Sequence, residues 1–202
     1  MEIYLLRHAQ TAWNLESRLQ GWSDSPLTEE GRRKAEEMAR RLKDLKFDWA
    51  YSSDLGRARA SLAPFLVGRE LPVSYTSDLR ELSLGPWEGR LYEEVCQREP
   101  EKFRIYFNDP AAHRVEGAET YGDLQLRIRR FLGQLKESSH QRVLIMAHGV
   151  SVQGILNEIQ GKELASFWEE PLVEGMEITL LEYENGVFSL KKRAQPLKGP
   201  SY

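Results

Sequence analysis

Short apolar runs alternate along the chain with segments in which apolar residues recur at helical spacing. The runs are typical of buried strands, and they cover residues 3–6, 49–52, 72–75 and 142–147. Helices are predicted after Thr28, which can cap a first turn, and over residues 54–66, 91–107, 121–135 and 151–160. Between these elements, loops are expected at residues 15–26 and 110–117.

The dipeptide Asn185-Gly186 lies between two further strand-like segments, 177–184 and 187–192. It favours the tight turn of a β-hairpin. Alternating strands and helices that end in a hairpin predict a three-layer α/β/α sandwich, with a mostly parallel sheet and one antiparallel edge strand. The 202 residues suit a single domain, 1–202, in which residues 81–117 would form a cap beside the strand ends.

Two of the apolar runs end in residues that can bind or transfer an anion. The first run is followed by Arg7-His8 and the fourth by His148. Parallel strands deliver their carboxyl ends to one edge of a sheet, so both histidines are expected there. Neutral hydrogen-bonding side chains follow the first pair at Gln10, Thr11 and Asn14. This combination suits a phosphate, which takes charge-assisted hydrogen bonds. For an Arg-His pair taken alone, a solvated strand end is the alternative.

Composition narrows the class of protein. Apolar residues make up 41% and charged residues 29%, which is ordinary for a soluble globular protein, and the net charge of −3 argues against nucleic acid as a partner. The lone cysteine, Cys96, excludes an intrachain disulfide framework, and we expect it as a packed thiol on a helix in a reducing compartment. No apolar run approaches the roughly 20 residues of a membrane span, and no signal peptide precedes the first strand. We therefore expect a cytoplasmic protein without a membrane partner. The sequence leaves a homodimer open.

Several short motifs occur along the chain in a recognisable order. They are Leu6-Arg7-His8-Ala9-Gln10-Thr11 with Asn14, Asp24-Ser25-Pro26-Leu27-Thr28, Ser53-Asp54-Leu55-Gly56-Arg57-Ala58, Leu79-Arg80-Glu81, Gly85-Pro86-Trp87-Glu88-Gly89, Gly117-Ala118-Glu119-Thr120 and His148-Gly149. Together they resemble the signature of the histidine phosphatases, the phosphoglycerate mutase superfamily. The resemblance covers nearly the whole chain and is closest to short bacterial broad-specificity or α-ribazole-type phosphatases.

The resemblance implies a reaction and assigns residues to it. The reaction is hydrolysis of small phosphorylated metabolites through a phosphohistidine on His8, because a neutral imidazole attacks a phosphate anion without charge repulsion. Glu81 would donate the proton to the leaving oxygen and later activate water. The remaining site residues would bind the phosphoryl oxygens and close the pocket: Arg7, Asn14, Gln20, Gly21, Arg57, His148 and Gly149. The sequence does not show which nitrogen of His8 attacks.

Other titratable residues near these motifs are expected to be structural. In the resemblance Glu88 belongs to a Trp-Glu-Gly turn, and Glu119 is expected to cap the helix that starts near Thr120. No motif surrounds His113 or His140, so both are expected at the surface.

Three alternative functions stay open at this point. A phosphoglycerate mutase-type phosphoryl transfer would need added basic residues after Trp-Glu-Gly, where this chain mixes acids and bases. A metallohydrolase could use His8, His148 and Glu81 as ligands, but the adjacent arginines would repel a cation. A non-catalytic phospho-ligand binding module has no need of His8 and Glu81. The phosphatase hypothesis requires no metal and no cofactor.

Overall fold

Residues 1–197 of the computed structural model are described here. Their core is a six-stranded sheet with strand order β3-β2-β4-β1-β5-β6. The strands are β1 (Glu2–Arg7), β2 (Trp49–Ser53), β3 (Val73–Thr76), β4 (Arg142–Ala147), β5 (Ile178–Glu184) and β6 (Val187–Lys192). The four strands before the hairpin run parallel, whereas β5 is antiparallel to β1. The antiparallel strand therefore lies one position inside the sheet, and β6 forms the edge.

The two central strands end level with each other. In the register of β1 and β4, Arg7 is paired with Ala147, and the amide of His8 donates to the carbonyl of Ala147 at 2.9 Å. His8 and His148 consequently leave the sheet side by side at its carboxyl edge, as the sequence predicts for parallel strands.

Alternation along these strands produces the three layers. Ile3 and Leu5 face one hydrophobic cluster, and Leu6 faces the other. The helices are α1 (Ala12–Leu15), α2 (Glu29–Arg41), α3 (Gly56–Leu66), α4 (Tyr92–Arg98), α5 (Pro100–Asn108), α6 (Tyr121–Lys136) and α7 (Gly149–Ile159). The cluster on one face contains residues of α2 and α3, and the cluster on the other contains residues of α6, α7 and the cap. The predicted α/β/α sandwich is thus confirmed.

The cap departs from the expectation of one helix over residues 91–107. The chain forms α4 and α5 instead, and Glu99 between them has φ −132° and ψ 52°. Pro100 explains the break, because proline disfavours helical geometry at the preceding residue and suits the first helical position. A second difference is the short helix α1, whose N-cap Thr11 forms a capping box with Asn14. The predicted cap of α2 is confirmed: the Thr28 hydroxyl accepts from the Gly31 amide at 2.9 Å.

Two expectations about single side chains were wrong. Cys96 is exposed, because it follows Val95, which takes the buried position on the short helix α4. His113 is only 1% exposed, because its loop folds inward against the rings of Trp87 and Tyr106, with centroids 5.7 and 5.1 Å away. His140 is partly buried and stacks on Trp49. Within residues 1–197, no helix combines the length and apolarity that crossing a membrane requires.

Candidate active site

The two histidines predicted at the sheet edge lie in contact distance of each other. The ring centroids of His8 and His148 are 5.1 Å apart, with the rings inclined by 56°. Both are buried, at 3% and 0% exposure. His8 follows the end of β1, and His148 lies between the end of β4 and the first residue of α7. The site therefore begins where two adjacent parallel strands stop.

One hydrogen bond determines the tautomer of His8. Its Nδ1 lies 2.7 Å from the carbonyl oxygen of Ala9. A carbonyl oxygen only accepts hydrogen bonds, so Nδ1 carries the proton and donates it. In the neutral ring Nε2 then holds the lone pair. The bond answers a question that the sequence left open, namely which nitrogen is free to act as a nucleophile.

The surroundings keep both imidazoles neutral. Burial lowers the pKa of His8 well below its usual value, and the charges of Arg57 and Arg7 lower it further. Burial likewise lowers the pKa of His148, with added repulsion from Arg57 and His8. Neither ring nitrogen of His148 has a hydrogen-bond partner among the described residues. A buried, unpartnered imidazole beside two cations is suited to meet an anion.

The guanidinium of Arg7 is held in place by a main-chain carbonyl. Its Nη1 donates to the carbonyl of Val173 at 3.0 Å. A Cβ added at Gly149 would lie 3.5 Å from the Arg7 guanidinium carbon and 3.0 Å from Leu172. Gly149 therefore leaves room for Arg7 and is not itself among the residues that line the pocket. Its part in phosphate binding stays a prediction.

Arg57 at the start of α3 is held by the loop that precedes α2. Its Nη1 donates to Asp24 at 2.9 Å, and its Nη2 donates to the carbonyl of Gly21 at 2.7 Å. The Nε atom has no partner among the described residues. The loop thus orients a buried cation while one of its donors stays unused. Gly21 supports this arrangement with φ +53°, and a Cβ there would lie 2.2 Å from the Glu88 carboxylate.

Asn14 and Gln20 line the pocket and are linked through Thr11. The Thr11 amide donates to the Asn14 side-chain oxygen at 3.0 Å, and the Thr11 hydroxyl donates to the Gln20 side-chain oxygen at 3.1 Å. Both amide oxygens are thereby occupied. The amide nitrogen of Gln20 remains as a neutral donor at the pocket.

Glu81 reaches the site from an irregular segment after β3. Its carboxylate accepts from the amides of Val150 and Ser151, each at 3.1 Å, and from Leu82 at 3.0 Å. Val150 and Ser151 belong to the first turn of α7, where amides point outward and the helix dipole favours a negative charge. The carboxylate is therefore placed by the same helix that follows His148.

Seven of the nine site residues predicted from the sequence line one pocket, whereas His148 and Gly149 are not among its lining residues. The predicted residues that line it are Arg7, His8, Asn14, Gln20, Gly21, Arg57 and Glu81. The far wall is apolar and is formed by Leu19, Leu82, Leu84, Trp87, Phe103, Tyr106, Phe107, Val150, Trp168 and Leu172. Trp168 and Leu172 come from the irregular stretch after α7, where neither periodicity nor a motif marks them.

The two other motif glutamates are structural, but in different ways. Glu88 accepts from the amides of Trp22 and Leu84 at 2.9 and 3.0 Å, as its turn role predicts. Glu119 does not cap α6, which is capped by Thr120 with a capping box to Asp123. It pairs instead with Arg127 of α6, with Nε and an oxygen 2.9 Å apart.

The metallohydrolase hypothesis finds no support in the side-chain arrangement. Among residues 1–197, no group of three or more His, Cys, Asp or Glu side chains could hold a metal ion together.

Comparison with known proteins agrees with this geometry. The family described as histidine phosphatase superfamily, branch 1, matches residues 3–196. Phosphoserine phosphatase 1 of Hydrogenobacter thermophilus is 30% identical over 83% of this chain and 80% of its own. A probable phosphoglycerate mutase of Escherichia coli, GpmB, is 32% identical over 80% of this chain and 75% of its own.

A solved structure shows the same fold. The α-ribazole phosphatase of Shigella flexneri superposes with a TM-score of 0.87 at 26% identity, over 98% of this chain and all of that one. The family match and the phosphatase relatives together identify a phosphomonoesterase of small phosphorylated metabolites, and the chain belongs to the histidine phosphatase superfamily, branch 1.

Proposed function

We propose that His8 is the nucleophile of this phosphomonoesterase and that it attacks phosphorus through Nε2. The carrying observation is the 2.7 Å bond from Nδ1 to the Ala9 carbonyl, which leaves the Nε2 lone pair free. The lowered pKa of His8, caused first by burial and then by Arg57 and Arg7, supports a ring that is neutral before attack. The product of this step is a phosphohistidine.

Three side chains around His8 receive the phosphoryl oxygens. Arg7 and Arg57 supply fixed positive charge, and each is oriented by a main-chain carbonyl. His148 supplies a neutral N–H donor from a ring whose nitrogens have no hydrogen-bond partner among the described residues. Charge develops on these oxygens as the leaving group departs, so donors fixed in advance stabilise the transition state more than the ground state. Asn14 and Gln20 complete the rim with neutral groups.

Glu81 moves the protons in both halves of the reaction. The leaving ester oxygen needs a proton, and Glu81 contributes a carboxyl to the lining of the pocket. In the first half the Nε2–P bond forms, the bond from phosphorus to the ester oxygen breaks, and the Glu81 proton passes to that oxygen. In the second half the Glu81 carboxylate takes a proton from water, the water oxygen bonds to phosphorus, and the Nε2–P bond breaks. Inorganic phosphate and a free alcohol are the products.

The apolar wall indicates the class of substrate. Phe103, Tyr106, Phe107 and Trp168 give the pocket an aromatic lining. This wall suits a monoester whose organic part is apolar or aromatic. A mutase would need cations there for a second phosphate, but the cations that line the pocket are Arg7 and Arg57, both at the phosphoryl end.

The remaining assignments are also proposals. One domain over residues 1–202, with residues 81–117 as its cap, is supported by the single sheet and by the helices that cover both of its faces. A cytoplasmic location is supported by a composition with a single, free cysteine. A homodimer is compatible with these features.

The fate of the phosphoryl group tests phosphatase against mutase, the second candidate that the name of the Escherichia coli relative raises. The protein is incubated with phosphoglycerate and with nitrophenyl phosphate in water enriched in heavy oxygen. We expect inorganic phosphate that contains one solvent oxygen from both substrates. Phosphoglycerate isomerised without solvent oxygen would support the mutase and contradict the proposal.

A further inference from the structure

Arg127 of α6 has no place in any motif, yet three of its five N–H donors bind main-chain carbonyls of the segment that carries Glu81. It is only 5% exposed. Nη1 donates to the carbonyls of Asp78 and Arg80 at 2.9 and 2.6 Å, and Nη2 donates to the carbonyl of Glu81 at 2.9 Å. The other two N–H groups donate to Glu119 at 2.9 and 3.0 Å. All five donors of the guanidinium are therefore used.

These bonds matter because Glu81 lies outside regular structure. The 3₁₀ turn Ser77–Leu79 ends just before it, and residues 80–84 belong to no strand or helix. Their carbonyls therefore need other partners. Arg127 binds the carbonyls of Arg80 and Glu81, which belong to the peptides before and after the Glu81 Cα. The Trp22 indole also donates to the Glu81 carbonyl, at 2.8 Å.

The position of the Glu81 main chain decides where its carboxyl lies. The carboxylate reaches the first turn of α7 at Val150 and Ser151. Glu119 extends the same clamp, because its second oxygen accepts from the amide of Ser83 at 2.9 Å. A single buried ion pair thus holds the chain before and after Glu81. Lysine could not replace this arginine, since an ammonium has three donors and no planar fork.

We propose that Arg127 is a positioning residue that sets the place of the proton-donating carboxyl of Glu81 through the main chain of residues 78–81. This inference rests on the proposed role of Glu81. Arg127 does not line the pocket, so substrate binding by Arg7 and Arg57 stays intact without it. Replacing Arg127 should therefore slow the chemical step in which the leaving oxygen needs a proton.

The test is a double-mutant cycle with Glu81→Gln and Arg127→Lys, read as the single-turnover rate of phosphoenzyme formation, and the substrate concentration that half-saturates it, on an alkyl phosphate and on nitrophenyl phosphate. A displacement of the proton donor by about 1 Å can cost roughly 100-fold. We expect Arg127→Lys to lower this rate by roughly 10- to 100-fold on the alkyl phosphate, with the half-saturating concentration nearly unchanged and a much smaller loss of rate on nitrophenyl phosphate. The double variant should lose no more than Glu81→Gln alone, because both changes remove one function. Arg130→Lys is the matched control: it lies on the same helix and contacts the Asp78 side chain, but it is 55% exposed.

The outcomes separate this proposal from the proposed function. Additive losses in the cycle, or equal losses of the rate of phosphoenzyme formation on both substrates from Arg127→Lys, would overturn the positioning role. An equal loss on both substrates from Glu81→Gln itself would instead overturn Glu81 as proton donor, and the cycle would still show whether Arg127 acts through it. Should Arg127→Lys fail to fold, Glu119→Gln loosens the same guanidinium with little change in shape, and the same cycle decides.

Discussion

Two parts of the pocket, its floor and its far wall, are formed by different kinds of structure. The floor consists of Arg7, His8 and His148 at the ends of adjacent parallel strands, where register places them to within one residue. The far wall includes aromatic side chains from α5 and from the irregular stretch around Trp168, and these rings pack against one another. Strand ends fix the chemistry, whereas loosely patterned cap segments shape the part of the pocket that meets the variable part of a substrate.

The largest expected effect comes from the group between these regions. Glu81→Gln keeps the shape of the side chain and removes the proton. General-acid catalysis is worth roughly 10²- to 10⁴-fold, so formation of phosphoenzyme from an alkyl phosphate should slow by that factor. Nitrophenolate leaves without protonation, so the same step should slow much less with nitrophenyl phosphate. Single-turnover rates on both substrates measure this, with exposed Glu93→Gln of α4 as the control.

A smaller and selective effect is expected from the far wall. Phe107→Ala removes an aromatic ring from the pocket and leaves every polar group in place. Burial of an apolar side chain is worth about 1.5 kcal/mol, so KM for a large apolar phosphate ester should rise by roughly tenfold. KM for glycerol phosphate should stay within about twofold. Tyr75→Ala, at an exposed aromatic of β3, is the control. Equal changes for both substrates would show that the wall does not select the organic group.

Sequence reasoning succeeded on the floor for a physical reason. Apolar runs that stop at a cation and an imidazole define strand ends, and a parallel sheet leaves them one place to go. The same reasoning failed for His113, which looks like a loop residue but is buried against Trp87. It also gave no sign that Arg127, on an amphipathic helix outside every motif, binds three carbonyls. Tertiary contacts that join segments far apart in sequence leave no local pattern to recognise.

The free energy of unfolding at acid pH should depend on the buried ring of His113 in the cap. Burial, with the charge of Arg114, lowers the pKa of His113 to about 4 from an ordinary value near 6.5. Between these pH values the unfolded chain binds the extra proton, so the free energy of unfolding should fall as pH drops from 6.5 towards 4. His113→Phe should reduce this slope, and urea unfolding at several pH values measures it. An unchanged slope in His113→Phe would contradict the buried neutral ring.

The smallest effect is expected from metal removal. The positive charge of Arg7 beside the two imidazoles of the proposed floor opposes the binding of a divalent ion. Hydrolysis of nitrophenyl phosphate should therefore continue after extended chelation, and vanadate should inhibit it as a mimic of five-coordinate phosphorus. Activity that a chelator abolishes and one divalent metal restores would contradict this description of the floor.

The central claim is that the phosphoryl group is carried by His8. The direct measurement is intact mass after brief reaction with nitrophenyl phosphate and a quench in base, where phosphohistidine survives, followed by peptide mapping. We predict a gain of one phosphoryl group, located on His8 and absent from His8→Ala, with a larger phosphorylated fraction in Glu81→Gln because water is activated more slowly. A phosphoryl group on His148, or one that persists in His8→Ala, would contradict the claim.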